Sequence, residues 1–190
     1  MQKLKIHIAE IVEEAEGITG FTLVPADGTM LPAPTPGAHI DIYLGPGLIR
    51  QYSLTNGPAD RRVYRIAVKL EATSRGGSLA MHRDVRLGDE LIVSGPKNNF
   101  PLSATARDHI LLAGGIGITP LLSMARWLAA EDAPFRLVYF ARAPRFADFA
   151  GLLSAGEWRD TVDMHYGLAL DAQHALLREL LADPQPDKHL

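Results

Sequence analysis

Between a compact apolar run and a helical stretch stands Ala113-Gly114-Gly115-Ile116-Gly117-Ile118-Thr119-Pro120. Glycines at a strand-to-helix junction let the backbone approach a pyrophosphate closely. Thr119-Pro120 reads as a helix N-cap followed by proline at the first helical position. The free N–H groups and the helix dipole would favour a phosphate there. The string is not the phosphate loop of nucleotide hydrolases, because no Lys-Ser or Lys-Thr pair follows the glycines. It also departs from Gly-x-Gly-x-x-Gly, since Pro120 takes the last glycine's place. A tight turn without a ligand accounts for the same residues.

Two further strings carry similar chemistry. In Arg50-Gln51-Tyr52-Ser53-Leu54 the arginine offers a fork of donors for a phosphate and the tyrosine a flat face for an isoalloxazine. The serine hydroxyl could donate to a ring nitrogen. An edge strand with polar residues facing water is the plain alternative. In Ala67-Val68-Lys69, then Thr73-Ser74-Arg75-Gly76-Gly77-Ser78, strand backbone could meet a heterocycle edge-on, and glycines again precede a helix beside an arginine. The alternative is that Ser74 or Ser78 caps a short helix while Arg75 is solvated.

The bulk properties narrow the classes. With 190 residues the chain can form one large domain or two small ones. A net charge of -3 gives no reason to expect nucleic acid or an anionic membrane as partner. No apolar run reaches the ~18 residues that span a bilayer, and the first residues alternate instead of forming a signal peptide. A cytoplasmic protein is expected. The chain has no cysteine, so it offers no disulfide, no thiolate nucleophile and no thiolate ligands for zinc or iron–sulfur. Redox chemistry would have to sit on a bound organic cofactor.

The elements that must position these strings fall into two grammars. Up to about Leu102 there are short strands: Lys3 to Ile11, Ile18 to Val24, His39 to Leu44, Leu48 to Leu54, Val63 to Lys69 and Glu90 to Ser94. Gly17, Asp27-Gly28, Gly45-Pro46-Gly47 and Asn56-Gly57-Pro58 punctuate them, and a helical piece covers Gly77 to Arg83. This spacing predicts an antiparallel barrel or sandwich. From Asp108 strand alternates with helix: strands at His109 to Ala113, Phe135 to Phe140 and Thr161 to Tyr166. Helices are predicted at Thr119 to Ala130, Phe146 to Ala155 and Ala172 to Leu181, the last stopped by Asp183-Pro184. That alternation predicts a parallel sheet. The boundary falls near Ser103 to Arg107, and Asp187-Lys188-His189-Leu190 reads as the entry to another buried strand.

Taken in order, Arg50 to Leu54, Ala67 to Lys69 with Ser74 to Ser78, Gly95-Pro96-Lys97-Asn98-Asn99-Phe100-Pro101-Leu102 and Gly114 to Pro120 resemble the ferredoxin reductase superfamily. Within it the chain is most similar to the phthalate dioxygenase reductase and vanillate demethylase reductase branch. The resemblance implies two domains. Residues 1–103 would form a six-stranded antiparallel Greek-key flavin-binding barrel, and residues 104–190 a shortened Rossmann-like parallel α/β nucleotide-binding domain. It implies FMN and NADH as cofactors, and a flavin-dependent oxidoreductase that serves a terminal oxygenase or demethylase. Arg50 and Arg75 would grip the flavin phosphate, with Gln51 in the same site and Gly76, Gly77 and Ser78 completing the pocket. Tyr52 would stack on the ring system and Ser53 would sit at its hydride-accepting edge. Ala67, Val68 and Lys69 would line the pyrimidine side through backbone. Gly114, Gly115, Gly117 and Pro120 would receive the nicotinamide nucleotide's pyrophosphate, with Thr119 near the nicotinamide. Two arginines on one terminal phosphate favour FMN over FAD.

The chemistry so implied is positioning, with the two rings stacked ~3–3.5 Å apart, and the cofactors carry the hard step. His39, His82 and His109 are therefore read as surface or satisfied histidines, and Trp127 and Trp158 as packing residues. After Tyr139-Phe140-Ala141-Arg142-Ala143 no acidic residue stands ready for a ribose hydroxyl, and Arg142 and Arg145 could contact a 2′-phosphate. That leans locally to NADPH, whereas most members of the branch use NADH, which is the expectation. Members of the branch continue into a Cys-Gly-Pro strand and a [2Fe–2S] domain with four cysteines, so the chain is expected to be a shortened form or fragment, with any [2Fe–2S] centre in the missing C-terminal region. The rival readings are a stand-alone reductase using FAD and a non-catalytic nucleotide-binding module.

Overall fold

The computed structural model describes residues 2–57, 59–155, 158–182 and 188–189. Among them, six antiparallel strands build the first sheet: β1 (Lys3–Ala15), β2 (Ile18–Pro25), β3 (His39–Gly45), β4 (Leu48–Ser53), β5 (Tyr64–Lys69) and β6 (Glu90–Ser94). Their order, β4-β3-β6-β1-β2-β5, is a Greek key, since β6 inserts between β3 and β1. Alternation drives the curl: Ile6, Ile8, Ile40 and Ile42 point inward and are almost wholly buried. Two register shifts in β1, at Ile8/Glu10 and Glu13/Ala15, bend the long strand around the core. The end strands meet at a seam. There Thr55 N–H donates to the Arg65 carbonyl at 2.8 Å, and Arg65 N–H donates to Asn56 Oδ1 at 2.9 Å. A short helix, α1 (Gly77–Arg83), covers one side of the barrel through Met81.

The second sheet is parallel, in the order β10-β7-β8-β9, from β7 (Asp108–Gly114), β8 (Phe135–Ala141), β9 (Val162–Tyr166) and β10 (Lys188–His189). Its neighbours are α2 (Ile118–Ala130), α3 (Ala150–Leu153) and α4 (Leu170–Leu180). The core here is a second apolar cluster, built by β7, β8 and α2 around Leu122, Leu128 and Leu137. Trp158 belongs to it, edge-on to Phe135 at 5.9 Å.

The strand entry expected near the end of the sequence is present: Lys188 and His189 pair with Asp108 and His109 and add a fourth strand to the sheet. Two expectations change. The helix expected over Phe146 to Ala155 is instead a 3-10 turn at Pro144–Phe146 and a single helical turn at α3. Between them Phe149 takes φ 58, and a left-handed residue breaks a right-handed helix. Thr119 is not an N-cap. A 3-10 turn at Gly115–Gly117 leads into α2, Gly117 is the cap, and Thr119 lies inside the first turn with its hydroxyl donating to the Ile116 carbonyl at 3.0 Å. The stop at Asp183-Pro184, together with Pro58, Asp187 and Leu190, lies outside the described residues.

Among the described residues, hydrogen bonds cross from one core to the other. Gly37 N–H donates to Ser123 Oγ at 2.9 Å, Arg126 donates to the Thr55 carbonyl at 2.9 Å, and Glu16 N–H donates to the Arg145 carbonyl at 2.9 Å.

Candidate functional site

A cavity of about 590 Å³ opens where β4, β5, the loop before α1 and the start of α2 converge. Its wall holds Arg50, Gln51, Tyr52 and Ser53 from β4, Ala67, Val68 and Lys69 from β5, and Thr73, Ser74, Arg75 and Ser78 from the loop and α1. Gly117, Thr119 and Pro120 close it from the other core. Residues about 70 positions apart in sequence (Arg50 and Thr119, for example) thus face one space.

Each side chain is held for a local reason. Arg50 donates to the carbonyls of Ile49 (2.8 Å) and Arg75, which ties β4 to the loop before α1. Gly77 makes room for it, because a Cβ there would stand 2.3 Å from Arg50 Cγ. Gly76 caps α1 at φ 92, with no side-chain cap, so neither Ser74 nor Ser78 caps the helix. Ser78 Oγ instead accepts from Glu71 N–H at 3.2 Å. Tyr52 packs against the barrel core, and burial pushes its phenol up to about 12 against the opposing pull of Arg50. It is a neutral, flat surface at any working pH. β5 ends the hydrogen-bonded order. Arg65 turns its N–H and C=O to the seam, and by strand alternation Ala67 and Lys69 turn theirs the same way. The Val68 carbonyl is met by His82 Nε2 at 2.8 Å. Gln51 reaches toward Asp41 at 3.1 Å, beside the Lys97–Asp41 ion pair, so only part of it faces the cavity.

A second cavity of about 670 Å³ lies alongside. Gly114, Gly115 and Ile116 form one wall, and Phe140, Arg142, Phe146 and His165 line the far end. Lys69 and Ile116 border both cavities. The glycine string is therefore the partition: Gly114 and Gly115 face one space, Gly117, Thr119 and Pro120 the other, and Ile116 both. Of its glycines only Gly115, at φ 49, needs a left-handed backbone. Arg142 and Arg145 both lie over the Phe146 ring, at 4.7 and 4.5 Å, and Arg145 pairs with Glu16 at 3.1 Å. Phe140 stacks on His165 at 5.3 Å.

Glu71 at the first cavity, and Glu16, Phe146 and His165 at the second, lie outside the strings with site roles. Thr73, Ile116 and Phe140 stand inside those strings but carried no role of their own. Glu16 and His165 carry no local signal, since only the fold brings a hairpin tip and a third strand to the glycines. His39 is buried, and its Nε2 has no hydrogen-bond partner among the described residues. Those residues contain no cluster of metal-ligating side chains, and no helix long and apolar enough to cross a membrane.

No family model matches the chain. The phthalate 4,5-dioxygenase oxygenase reductase subunit of Pseudomonas putida is 47% identical over 155 residues, covering 81% of this chain and 48% of that protein. The vanillate O-demethylase oxidoreductase of Pseudomonas putida is 42% identical over 182 residues, covering 94% and 56%. The chain thus spans about half the length of these relatives. Among solved structures, phthalate dioxygenase reductase, described as modular for electron transfer from pyridine nucleotides to [2Fe–2S], superposes with a TM-score of 0.88. It is 34% identical, covering 98% of this chain and 67% of that one. A Greek-key barrel and a parallel sheet that meet at paired cavities, with this identity along nearly the whole chain, make it a member of the phthalate dioxygenase reductase and vanillate O-demethylase oxidoreductase family.

Proposed function

We propose that this chain binds FMN in the cavity bordered by Arg50, Tyr52, Ser53 and Arg75, and takes hydride from NADH held in the adjoining cavity. In the intact protein it would serve as the front end of a reductase for a terminal oxygenase or demethylase. The observation that carries the reading is the shared border: two cavities of nucleotide size meet at Lys69 and Ile116. Residues 1–103 would be the flavin domain and residues 104–190 the nucleotide domain, a division supported by two separate apolar cores.

The residues present fit a flavin mononucleotide. Arg50 and Arg75 both border the cavity, and Arg50 is bonded to the Arg75 carbonyl, so two arginines are available to a single terminal phosphate. Tyr52 offers a neutral ring for stacking, Ser53 a hydroxyl donor, and Ala67 and Lys69 backbone groups for the edge of a heterocycle. When bound, FMN would supply hydride acceptance and single-electron release. The chain's own residues bind, orient and exclude water, and Gly114 to Ile116 would cradle the dinucleotide's pyrophosphate with Thr119 close to the nicotinamide. No side chain is asked to act as acid or base.

The test is a fluorescence titration of the flavin-free chain with FMN and with FAD, then rapid mixing of the loaded protein with NADH. FMN is expected to bind more tightly than FAD, and NADH to bleach it. Tighter FAD binding would replace the mononucleotide reading, and no flavin binding would end it. In the same assay Arg75→Ala is expected to weaken FMN by roughly ten- to hundred-fold, the scale of a lost charge-assisted phosphate contact. An unchanged affinity would remove Arg75 from the site.

A further inference from the structure

Asp148 lies at the junction of the two cores with no exposed surface, and neither carboxylate oxygen has a hydrogen-bond partner among the described residues. A bare buried carboxylate is costly, whereas a neutral carboxyl is far less so. Its backbone is pinned, since Asp148 N–H donates to the Tyr139 hydroxyl at 3.1 Å, and the next residue, Phe149, is left-handed at φ 58. The segment it belongs to, 142–149, carries the Arg142 and Phe146 wall of the second cavity, and Arg145 binds Glu16 across the junction.

We propose that Asp148 is a proton-linked positioning residue, which when neutral lets the 142–149 turn seat against the barrel and when ionised pushes it away. The titratable groups that bear on it are Glu14 of β1, Lys69 of β5 and Tyr139 of β8. Glu14 is itself raised by burial and by Glu10, against Arg126. Ionised Asp148 therefore confronts a second carboxylate, while Lys69 offsets the clash only in part and is tied to Glu71 at 2.6 Å. Burial first, and Glu14 second, push the Asp148 carboxyl up to about 7. Its protonated form therefore favours the folded state, and that contribution is lost as pH rises from the unfolded value of about 3.9 through the folded one.

This inference depends on the nicotinamide reading for one of its two readouts only. In the heat readout, Asp148→Asn keeps the shape and removes the charge. The melting temperature of the variant is expected to exceed that of the parent by a gap that widens from about pH 5 to about pH 7.5 and then levels. Glu14→Gln should move that widening to lower pH. A gap constant with pH is what a merely structural residue would give, and it overturns the proposal. In the binding readout, NADH added to the flavin-loaded parent should bind roughly five-fold more weakly at about pH 8.5 than at about pH 6, with little change in Asp148→Asn. Equal pH dependence in both proteins overturns the coupling to the cavity. If NADH binds neither protein at any pH while the thermal gap still widens, the nicotinamide reading fails and the proton-linked role stands.

Discussion

Gly77 and Arg50 are a matched pair: the missing side chain of one is the space occupied by the other. A methyl group at Gly77 would meet Arg50 Cγ, Nε and Cδ within 2.8 Å, so the arginine must leave its bond to the Arg75 carbonyl. Gly77→Ala is therefore expected to weaken FMN by about ten-fold, the order of one lost charged contact, while the barrel stays folded. Flavin fluorescence measures the first effect and circular dichroism the second. A variant with parental affinity would mean that Arg50 has no part in holding the phosphate. Tyr52 makes a different contribution at the same scale. Its burial keeps the phenol neutral, so flavin affinity should show no step attributable to Tyr52 at working pH.

At the scale of elements, the barrel depends on how β4 and β5 are joined, because no ladder runs between them. Asn56 does that joining. It is buried, donates to the carbonyls of Asp60 and Val63 at 3.1 Å each, and accepts from Arg65 N–H at 2.9 Å. Asn56→Ala strands these backbone groups and should cost roughly 2–3 kcal/mol, read as a fall in the urea midpoint. Since β4 and β5 also form the two long walls of the cavity, flavin affinity should fall with it. The loop before α1 shows the same economy of parts, since Gly76, Arg50 and Ser78 fix it without a side-chain helix cap.

At the scale of the molecule, both tryptophans lie in or against the second core, and the cavity assigned to flavin is walled mainly by the first. Tryptophan fluorescence and flavin release therefore watch different halves unfold. Arg126 links them, with its guanidinium on the Thr55 carbonyl. Arg126→Ala is expected to separate the two transitions by several degrees on heating, where the parent shows them together. Coincident transitions in the variant would show that the Gly37–Ser123 and Glu16–Arg145 contacts suffice.

Much of this was legible in the residues themselves. Alternation placed β1 to β6 to within a few residues, and the step to apolar runs at Asp108 marked the second sheet, because both periodicities are local consequences of burial. The three flagged strings also end around one pair of cavities. Local pattern could not supply what depends on distant neighbours. The helix expected after Phe146 is broken by a left-handed Phe149, and Thr119 lies inside α2 because a 3-10 turn precedes it. Glu16 and His165 join the second cavity only through a hairpin tip and a third strand. The sequence by itself determined which backbone forms which element and which residue types could grip a phosphate. Tertiary structure alone decided that Lys69 and Ile116 border both cavities and that Asp148 is sealed between the two cores, because those facts arise where two sheets pack together.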